Sequence, residues 1–223
     1  MNAPEHVPTV VTTCTNSACG MRFPCPIDDT RGLTCPLCEA PTISGATYDP
    51  PFVAAACPGG DEVETIGVLD NIRSAMNVGT MLRAGDGANV SRMHLCGLTA
   101  WIDNPKVIKT ALGAEQSVSC SRSLDGTKCV AELASTGVEI WAIESTPQST
   151  LLDEVVAGPI PARLALIVGN EVAGVDPQLL EMADRHVHLA MAGTKTSLNV
   201  GVAFGIASYA VRTARSHRQA NST

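Results

Sequence analysis

Four cysteines near the N-terminus have the spacing of a metal site. They form two pairs, Cys14-x4-Cys19 and Cys35-x2-Cys38, with 15 residues between the pairs. Thiolates at these intervals can meet tetrahedrally around one Zn²⁺. Because so short a segment cannot hold itself together by burial, the metal would supply the folding free energy. The sequence therefore predicts a structural, zinc-ribbon-like module over residues 1–45, without the open coordination position of a catalytic zinc.

The other five cysteines are not assigned to this site. Cys25 lies between the two pairs and is interpreted as a non-ligand, although it could replace a neighbour. The remaining four are interpreted as small apolar residues; they are Cys57, Cys96, Cys120 and Cys129. A thioredoxin-like redox pair is an alternative for Cys35-Pro-Leu-Cys38, but that motif needs a βαβ context that is lacking here.

Three clusters of polar residues and glycines form a second group of candidates. They are Asn77-x5-Arg83, Gly169-Asn-Glu171 and Ser197-Leu-Asn199. Two of them follow apolar runs, and ligands of open α/β sheets collect at the carboxyl ends of strands. Each also has a simpler interpretation: Asn77 and Ser197 could be helix N-caps, Glu171 a charge at a helix start, and Arg83 part of a surface ion pair.

Alternating apolar runs and helical patterns predict the elements that would position these clusters. Continuous apolar strands separated by helices favour an α/β domain with a buried parallel sheet over residues 61–223. Strands are predicted at Thr65–Leu69, Arg92–Cys96, Ser117–Ser121, Val138–Ile143, Leu164–Val168 and His186–Leu189. Helices are predicted at Val78–Ala88, Pro105–Leu112, Gly126–Ser135, Pro177–Ala183 and Leu198–Arg215. The Pro- and Gly-rich residues 46–60 are predicted to be a linker.

Composition limits the function classes. The 223 residues carry a net charge of −7 and only 3% aromatic residues. These values disfavour non-specific attraction to phosphates and a stacking platform for single strands. Glycine-rich dinucleotide, P-loop and Gly-x-Ser-x-Gly motifs are absent from the sequence, which disfavours those enzyme classes. Residues 1–11 lack a basic n-region, and Leu198–Val211 is shorter than the ~20 residues of a membrane span, so a cytoplasmic protein is expected.

In this order the three clusters resemble the three motifs of the SPOUT superfamily, in its TrmH/SpoU branch of RNA ribose 2′-O-methyltransferases. The segment Lys109–Ala114 also resembles a family segment, and the resemblance covers about residues 64–213. It implies a parallel-sheet α/β domain with a C-terminal deep trefoil knot and S-adenosylmethionine as cofactor. It also implies structured RNA, tRNA or rRNA, as substrate, and a homodimer whose active site borrows from both chains.

The resemblance implies a role for each motif residue. The catalytic set would be Arg83, Asn77, Glu171, Ser197 and Asn199, and the cofactor contacts would be Gly169, Leu189, Met191 and Leu198. A ribose 2′-hydroxyl oxygen would attack the sulfonium methyl group in line, and positioning would supply much of the rate. Arg83 is expected to act as activator and phosphate clamp rather than base, because a guanidinium with a pKa above ~12 rarely releases its proton.

Three positions depart from the family pattern. Val172 follows the motif-two glutamate where relatives often have Gly, Ala190 replaces a proline, and Asn89 stands where relatives often have Gly. Asn tolerates the left-handed conformation that such a glycine adopts. No polar motif residue is lost, which favours an active enzyme. The alternatives are a base-methylating SPOUT enzyme and a non-catalytic RNA- or ribosome-associated binding module.

The basic residues are unevenly distributed. Thirteen of the 15 Lys and Arg residues lie in residues 61–223. Two groups of arginines are predicted to contact RNA: Arg212, Arg215 and Arg218 on the last helix, and Arg73, Arg83 and Arg92 around motif one. RNA binding is therefore expected to be local and dependent on RNA shape. The cysteine module is expected to dock the substrate, with a protein contact as the alternative.

Overall fold

The structure, a computed structural model, describes residues 7–48 and 63–220 and divides the chain into two units, 1–58 and 59–223. The predicted linker at 46–60 lies outside the described residues except for 46–48, and Cys57 also lies outside them. Within the described residues, no helix has both the length and the hydropathy that crossing a membrane would require.

The first unit is a small antiparallel sheet. Its strands are β1 (Thr9–Cys14), β2 (Arg22–Pro26) and β3 (Thr42–Thr47), in the order β2-β1-β3, with a single 3₁₀ turn at Thr30–Leu33. Strand β3 crosses the module boundary predicted at residue 45. Only five side chains of residues 7–48 are buried: Val10, Thr12, Cys14, Cys25 and Cys35. This unit therefore has almost no aliphatic core.

The second unit contains the parallel sheet predicted from the apolar runs. Seven strands pair in the order β6-β5-β4-β9-β7-β10-β8, and all neighbours are parallel. They are β4 (Glu64–Asp70), β5 (Arg92–Cys96), β6 (Ser119–Ser123), β7 (Glu139–Ile143), β8 (Thr150–Leu151), β9 (Arg163–Val168) and β10 (Arg185–His188). All seven carboxyl ends therefore lie at one edge of the sheet.

Within residues 63–220, six helices lie between these strands and a seventh follows the last of them. They are α1 (Ala75–Gly87), α2 (Pro105–Ala111), α3 (Ala114–Ser117), α4 (Gly126–Ser135), α5 (Leu152–Ala157), α6 (Pro177–Met182) and α7 (Val200–Ala220). Five of them begin at a side chain that accepts a backbone N–H bond, as N-capping requires; these caps are Ser74, Asn104, Asp125, Asp176 and Asn199. Pro105 and Pro177 occupy the first turns of α2 and α6, where no backbone donor is needed.

The helices pack on both faces of the sheet. One buried cluster joins strand residues to α1, α2, α5 and α7, and the other joins strand residues to α4 and α6. Gly67 on β4 lets the Phe204 ring of α7 lie against the sheet, because a Cβ there would be 3.2 Å from that ring. The long helix α7 is thereby held over the central strands.

All six predicted strands and all five predicted helices are present, with shifted ends. Strand β6 begins at Ser119 because α3 occupies Ser117, and α7 begins at Val200 because Asn199 caps it. The strands of the cysteine module, α3, β8 and α5 had not been predicted. These elements are short, and α5 has no side-chain cap, so the usual sequence signals are weak.

Candidate active site

A cavity of about 700 Å³ opens at the carboxyl edge of the sheet. Its wall comprises the ends of β7, β9 and β10, the turn after β9 and the segment from Leu189 to Val200. All four residues expected to contact the cofactor line it: Gly169, Leu189, Met191 and Leu198. Three of the five residues expected to be catalytic also line it: Glu171, Ser197 and Asn199.

The Glu171 carboxylate is the centre of a hydrogen-bond network. It accepts the backbone N–H groups of Arg73 (2.8 Å) and Ser74 (3.0 Å), which lie just before α1. It also accepts Nδ2 of Asn77 at 2.8 Å. Burial alone would raise the pKa of Glu171, but these donors outweigh it and lower that pKa below its ordinary value. Glu171 is therefore held as a carboxylate that fixes the loop after β4.

Asn77 connects this network to the last helix. Its Oδ1 accepts Nδ2 of Asn199 at 3.1 Å, and Oδ1 of Asn199 accepts the N–H of Gly201 at 2.9 Å. Asn199 is thus the N-cap of α7, while Ser74 caps α1 by accepting the N–H of Asn77 at 3.3 Å. The simpler interpretations of Asn77 and Ser197 as N-caps are wrong, because neighbouring residues fill those positions.

The turn after β9 is closed by a residue that the sequence analysis did not single out. Asn170 and Gly174 exchange two backbone hydrogen bonds, of 2.9 and 2.8 Å. The Asn170 side chain accepts the N–H of Val172 and donates to the carbonyl of Asn71 at 2.8 Å. Asn170 therefore ties the turn to the loop after β4. Its position next to Glu171 in the second cluster is the feature of the sequence that could have identified Asn170 as a site residue.

Glu144 is a second missed residue of the cavity wall. It directly follows β7, and its Oε2 accepts the N–H of Val175 at 3.0 Å. Gly169 is required opposite, since a Cβ there would be 2.3 Å from the Gly174 carbonyl oxygen. A carboxylate just after a strand indicates a site residue at the carboxyl edge of the sheet, and this feature of the sequence applies to Glu144 as it does to Glu171.

Arg83 is not brought into this network. It lies on α1 with an exposed side chain and is not a cavity-lining residue. Within residues 7–48 and 63–220 its guanidinium makes no hydrogen bond or ion pair. One chain alone therefore does not place Arg83 beside Glu171, although both belong to the motif set.

The four predicted zinc ligands do converge. The Sγ atoms of Cys14, Cys19, Cys35 and Cys38 lie within 4.8 Å of one another. Two of these distances are 3.4 Å, between Cys14 and Cys38, and 3.8 Å, between Cys19 and Cys35. Tetrahedral Zn–S bonds of ~2.3 Å imply sulfur separations of about 3.8 Å. The spacing of the thiols therefore fits one Zn²⁺.

The surroundings of Cys35 favour its thiolate, whereas burial raises the pKa of Cys14 to about 12 when no metal is bound. Burial would raise the pKa of Cys35, but the N–H groups of Leu37 and Cys38 outweigh it and hold that pKa at about 7. The thiolate is the form that binds a metal. Cys25 lies apart from the group, with its Sγ 3.7 Å from the carbonyl oxygen of Asp29.

Comparison with known proteins identifies the second unit. The model of the SpoU rRNA Methylase family matches residues 64–209, which is well over half of the chain. This chain belongs to the SpoU rRNA methylase family. The cysteine module lies outside the matched residues.

Curated relatives cover different shares of this SpoU family chain. RlmP of Bacillus subtilis, a 23S rRNA (guanosine(2553)-2′-O)-methyltransferase, is 31% identical over 193 residues, which is 84% of this chain and 76% of RlmP. RlmB of Escherichia coli K12, a 23S rRNA (guanosine-2′-O-)-methyltransferase, is 30% identical over 139 residues, 62% of this chain and 56% of RlmB. The chain thus spans little more than half the length of RlmB.

Solved structures of the family share the fold. An AdoMet-bound rRNA methyltransferase from Sinorhizobium meliloti superposes with a TM-score of 0.64 at 26% identity, over 70% of this chain and 57% of that one. A TrmH/SpoU tRNA modifying enzyme from A. aeolicus gives 0.62 at 26% identity, over 70% of this chain and 77% of that one.

The departures from the SpoU family pattern cause little backbone strain. Val172 has no left-handed backbone, and its side chain is 76% exposed at the cavity. Asn89 has φ +57°, which confirms the prediction that it substitutes for a left-handed glycine. Ala190 lies on the cavity wall in place of the proline.

Several arginines predicted to contact RNA are structural in this SpoU family member. Arg215 donates to the hydroxyl of Thr65 at 2.6 Å and to backbone carbonyls, and Arg218 donates to carbonyls at the end of α5. Arg92 pairs with Glu64 at 2.9 Å at the amino end of β5, away from motif one. The guanidinium groups of these three residues therefore make contacts within the chain, and their part in RNA binding stays a prediction.

Proposed function

We propose that this chain is an S-adenosylmethionine-dependent RNA methyltransferase that modifies a ribose 2′-hydroxyl of rRNA or tRNA. The observation that carries the proposal is the network of Glu171, Asn77 and Asn199 at a cavity lined by motif two and motif three. The family match and the named activities of RlmP and RlmB support it. An enzyme that modifies rRNA or tRNA would act in the cytoplasm, so we propose that location for this chain.

The cavity fits the cofactor in size and in chemistry. A volume of about 700 Å³ is in the range of cavities that hold small molecules. One side chain on its wall, His188, has a buried Nδ1 without a partner among the described residues, which indicates an unfilled contact. Gly169, Leu189, Met191 and Leu198 would hold the cofactor, which when bound supplies a sulfonium methyl group.

The residues of the chain supply positioning. Glu171 stays ionised and holds the backbone before α1, so Asn77 and Asn199 keep a fixed geometry beside the cavity. Ser197 lies exposed on the cavity wall, where its hydroxyl can donate to the substrate. Arg83 would bind the target phosphate and lower the cost of deprotonating the 2′-hydroxyl, because its guanidinium remains charged.

We further propose a homodimer that completes this site. Four apolar side chains at intervals of four, four and three residues are exposed along the start of α7: Leu198, Val202, Ile206 and Tyr209. A solvent-exposed stripe of this kind is typical of an interface. A second copy packed here would also account for the isolated position of Arg83, which would act at the partner's cavity. The C-terminal deep trefoil knot that the family resemblance implies is part of the same proposal.

The cysteine module is proposed as a zinc-bound domain of residues 1–45 that helps to dock the RNA. Cys14, Cys19, Cys35 and Cys38 would bind one structural Zn²⁺. The α/β domain, residues 61–223, would carry the chemistry, with residues 46–60 as the linker. A closed four-thiolate site leaves no coordination position for a catalytic water.

Methyl transfer to defined RNAs tests the main proposal. The purified full chain is incubated with tritiated S-adenosylmethionine and unmodified 23S rRNA, 16S rRNA or tRNA transcripts. A ribose methyl group makes the adjacent linkage resistant to alkali, so a labelled alkali-stable dinucleotide is expected. Label in mononucleotides would favour the base-methylating alternative, and cofactor binding without transfer to any RNA would favour the binding module.

Two variants test the role of Arg83. R83A is expected to lose about 10²- to 10³-fold in turnover, as when one donor to a developing charge is removed. R83K, which keeps the charge but not the planar fork, is expected to recover only part of that loss. Near-normal turnover in both variants would exclude Arg83 from the site.

Sedimentation tests the dimer. The wild-type chain is expected to sediment as a dimer, and V202R with I206R is expected to give a folded monomer without transfer activity. Mixing R83A with a chain impaired at Glu171 would restore part of the activity if each site uses both chains. A wild-type monomer with full activity would exclude the shared site.

A further inference from the structure

One histidine of the cavity wall has a polar atom that the rest of the chain leaves unpaired. His188 is the last residue of β10, and its side chain is half-buried at the carboxyl edge of the sheet. Its Nδ1 is shielded from solvent and has no hydrogen-bond partner among the described residues. Buried polar atoms almost always have partners, so this exception calls for a physical cause.

Three other side chains have a similar unpaired nitrogen, but His188 is distinct in position. The others are Arg92, His94 and Arg215, and none of them lines the cavity. Two residues earlier on the same strand, His186 has both nitrogens paired, with Thr146 at 2.9 Å and the Leu180 carbonyl at 2.9 Å. Both ring nitrogens of His186 therefore have hydrogen-bond partners, whereas Nδ1 of His188, at the cavity, has none among the described residues.

We propose that His188 binds the adenosyl part of S-adenosylmethionine through Nδ1, an inference that rests on the proposed function. A neutral imidazole nitrogen can accept from an amine or hydroxyl, or donate to a ring nitrogen. The adenosyl group offers all of these atoms.

The make-up of the cavity wall selects the adenosyl end of the cofactor over its amino-acid end. Strand ends near His188 contribute apolar side chains that suit a flat base: Ile143, Val168, Val187 and Leu189. The amino-acid end carries an ammonium group and a carboxylate group. These charged groups suit the polar residues 194–197, Thr-Lys-Thr-Ser, elsewhere on the wall. His188 is assigned to the base and ribose for this reason.

Binding calorimetry on the full chain tests the assignment without any turnover. Wild type, H188A, H188N and H188Q are titrated with S-adenosylmethionine and with 5′-methylthioadenosine, which lacks the amino-acid end. The amide of Asn lies near the position of Nδ1, whereas that of Gln lies near Nε2. H188A and H188Q are expected to lose about tenfold in affinity for both ligands, as for one lost hydrogen bond, and H188N is expected to stay within about threefold of wild type.

A matched control and a folding check accompany the titration. H94A removes a histidine whose unpaired nitrogen lies away from the cavity, and it is expected to leave both affinities unchanged. If H188A fails to fold in a thermal melt, the comparison of H188N with H188Q carries the test. Equal affinity in all folded His188 variants would overturn the assignment, as would a loss confined to S-adenosylmethionine. If wild type binds neither ligand, it is the proposed function that fails.

Discussion

The two units of this chain are held together in different ways. Residues 7–48 bury only five side chains, three of them cysteines, and gather four thiols within 4.8 Å. In residues 63–220 large side chains such as Trp141 and Phe204 are fully buried, and helices cover both faces of a seven-stranded sheet. The comparison teaches that apolar burial holds the α/β unit together, whereas the cysteine module buries too little for this and, under the proposed zinc site, would take its folding free energy from the metal.

Removal of the metal is expected to have the largest effect. Structural zinc contributes roughly 10–16 kcal/mol to the folding of small domains. A chelator, or C35S, should therefore unfold the module while the α/β unit stays folded. Hydrogen exchange with mass spectrometry would show full exchange over residues 9–47 and unchanged protection over β4–β10. C120S, at a cysteine of β6 outside the cluster, is the control. Module amides that stay protected without metal would refute the comparison.

A core truncation is the converse change, and the next largest. The Phe204 ring is fully buried against Gly67. F204A should cost the α/β unit about 3–5 kcal/mol in unfolding free energy. Urea unfolding followed by the fluorescence of Trp101 and Trp141, both in the α/β unit, measures this cost, and zinc content should not change. T213A, at an exposed position of the same helix outside the proposed interface, should cost much less. Equal effects of the two variants would argue against burial as the source of stability.

The same contrast explains what could be predicted from the sequence. The cysteine spacing specified the four converging thiols, because each knuckle is local in the chain. The apolar runs specified the strands and long helices of the α/β unit. Strands β2 and β3 of the module were missed because they bury almost nothing. Strand β1 alternates in burial, but its sequence Thr-Val-Val-Thr-Thr-Cys does not alternate in polarity.

The residues of the site were predicted from the sequence, but the hydrogen bonds between them were not. Glu171 and Asn77 are 94 residues apart, and Asn77 and Asn199 are 122 apart. Periodicity describes one segment at a time, so it could not pair them; the motif resemblance grouped them instead. The spacing of the arginines on the last helix likewise did not show that Arg215 donates to backbone carbonyl groups of the α/β unit, because those carbonyls lie more than 50 residues away in the chain.

The Glu171 network should make a smaller, pH-dependent contribution. Its donors lower the pKa of Glu171, so the stabilisation is complete above the unfolded-state pKa and is lost as the pH falls through the lower folded-state pKa. E171Q should cost about 1 kcal/mol near neutral pH, since the group is largely exposed. The difference between wild type and E171Q should shrink on acidification. Urea melts of the α/β unit at several pH values measure it, and a constant difference would contradict the argument.

Cys25 provides the smallest and most selective test, because it separates burial from ligation within the module. Its thiol is buried beside Gly32, where a Cβ would be 2.4 Å from Sγ, and it lies apart from the four converging thiols. C25A should cost roughly 1 kcal/mol for the lost packing. The chain should still bind one zinc with unchanged affinity in a competition titration, whereas C35S should bind none tightly. Weaker zinc binding by C25A would show that Cys25 is a ligand. Burial and metal binding could then not be separated at this residue of the module.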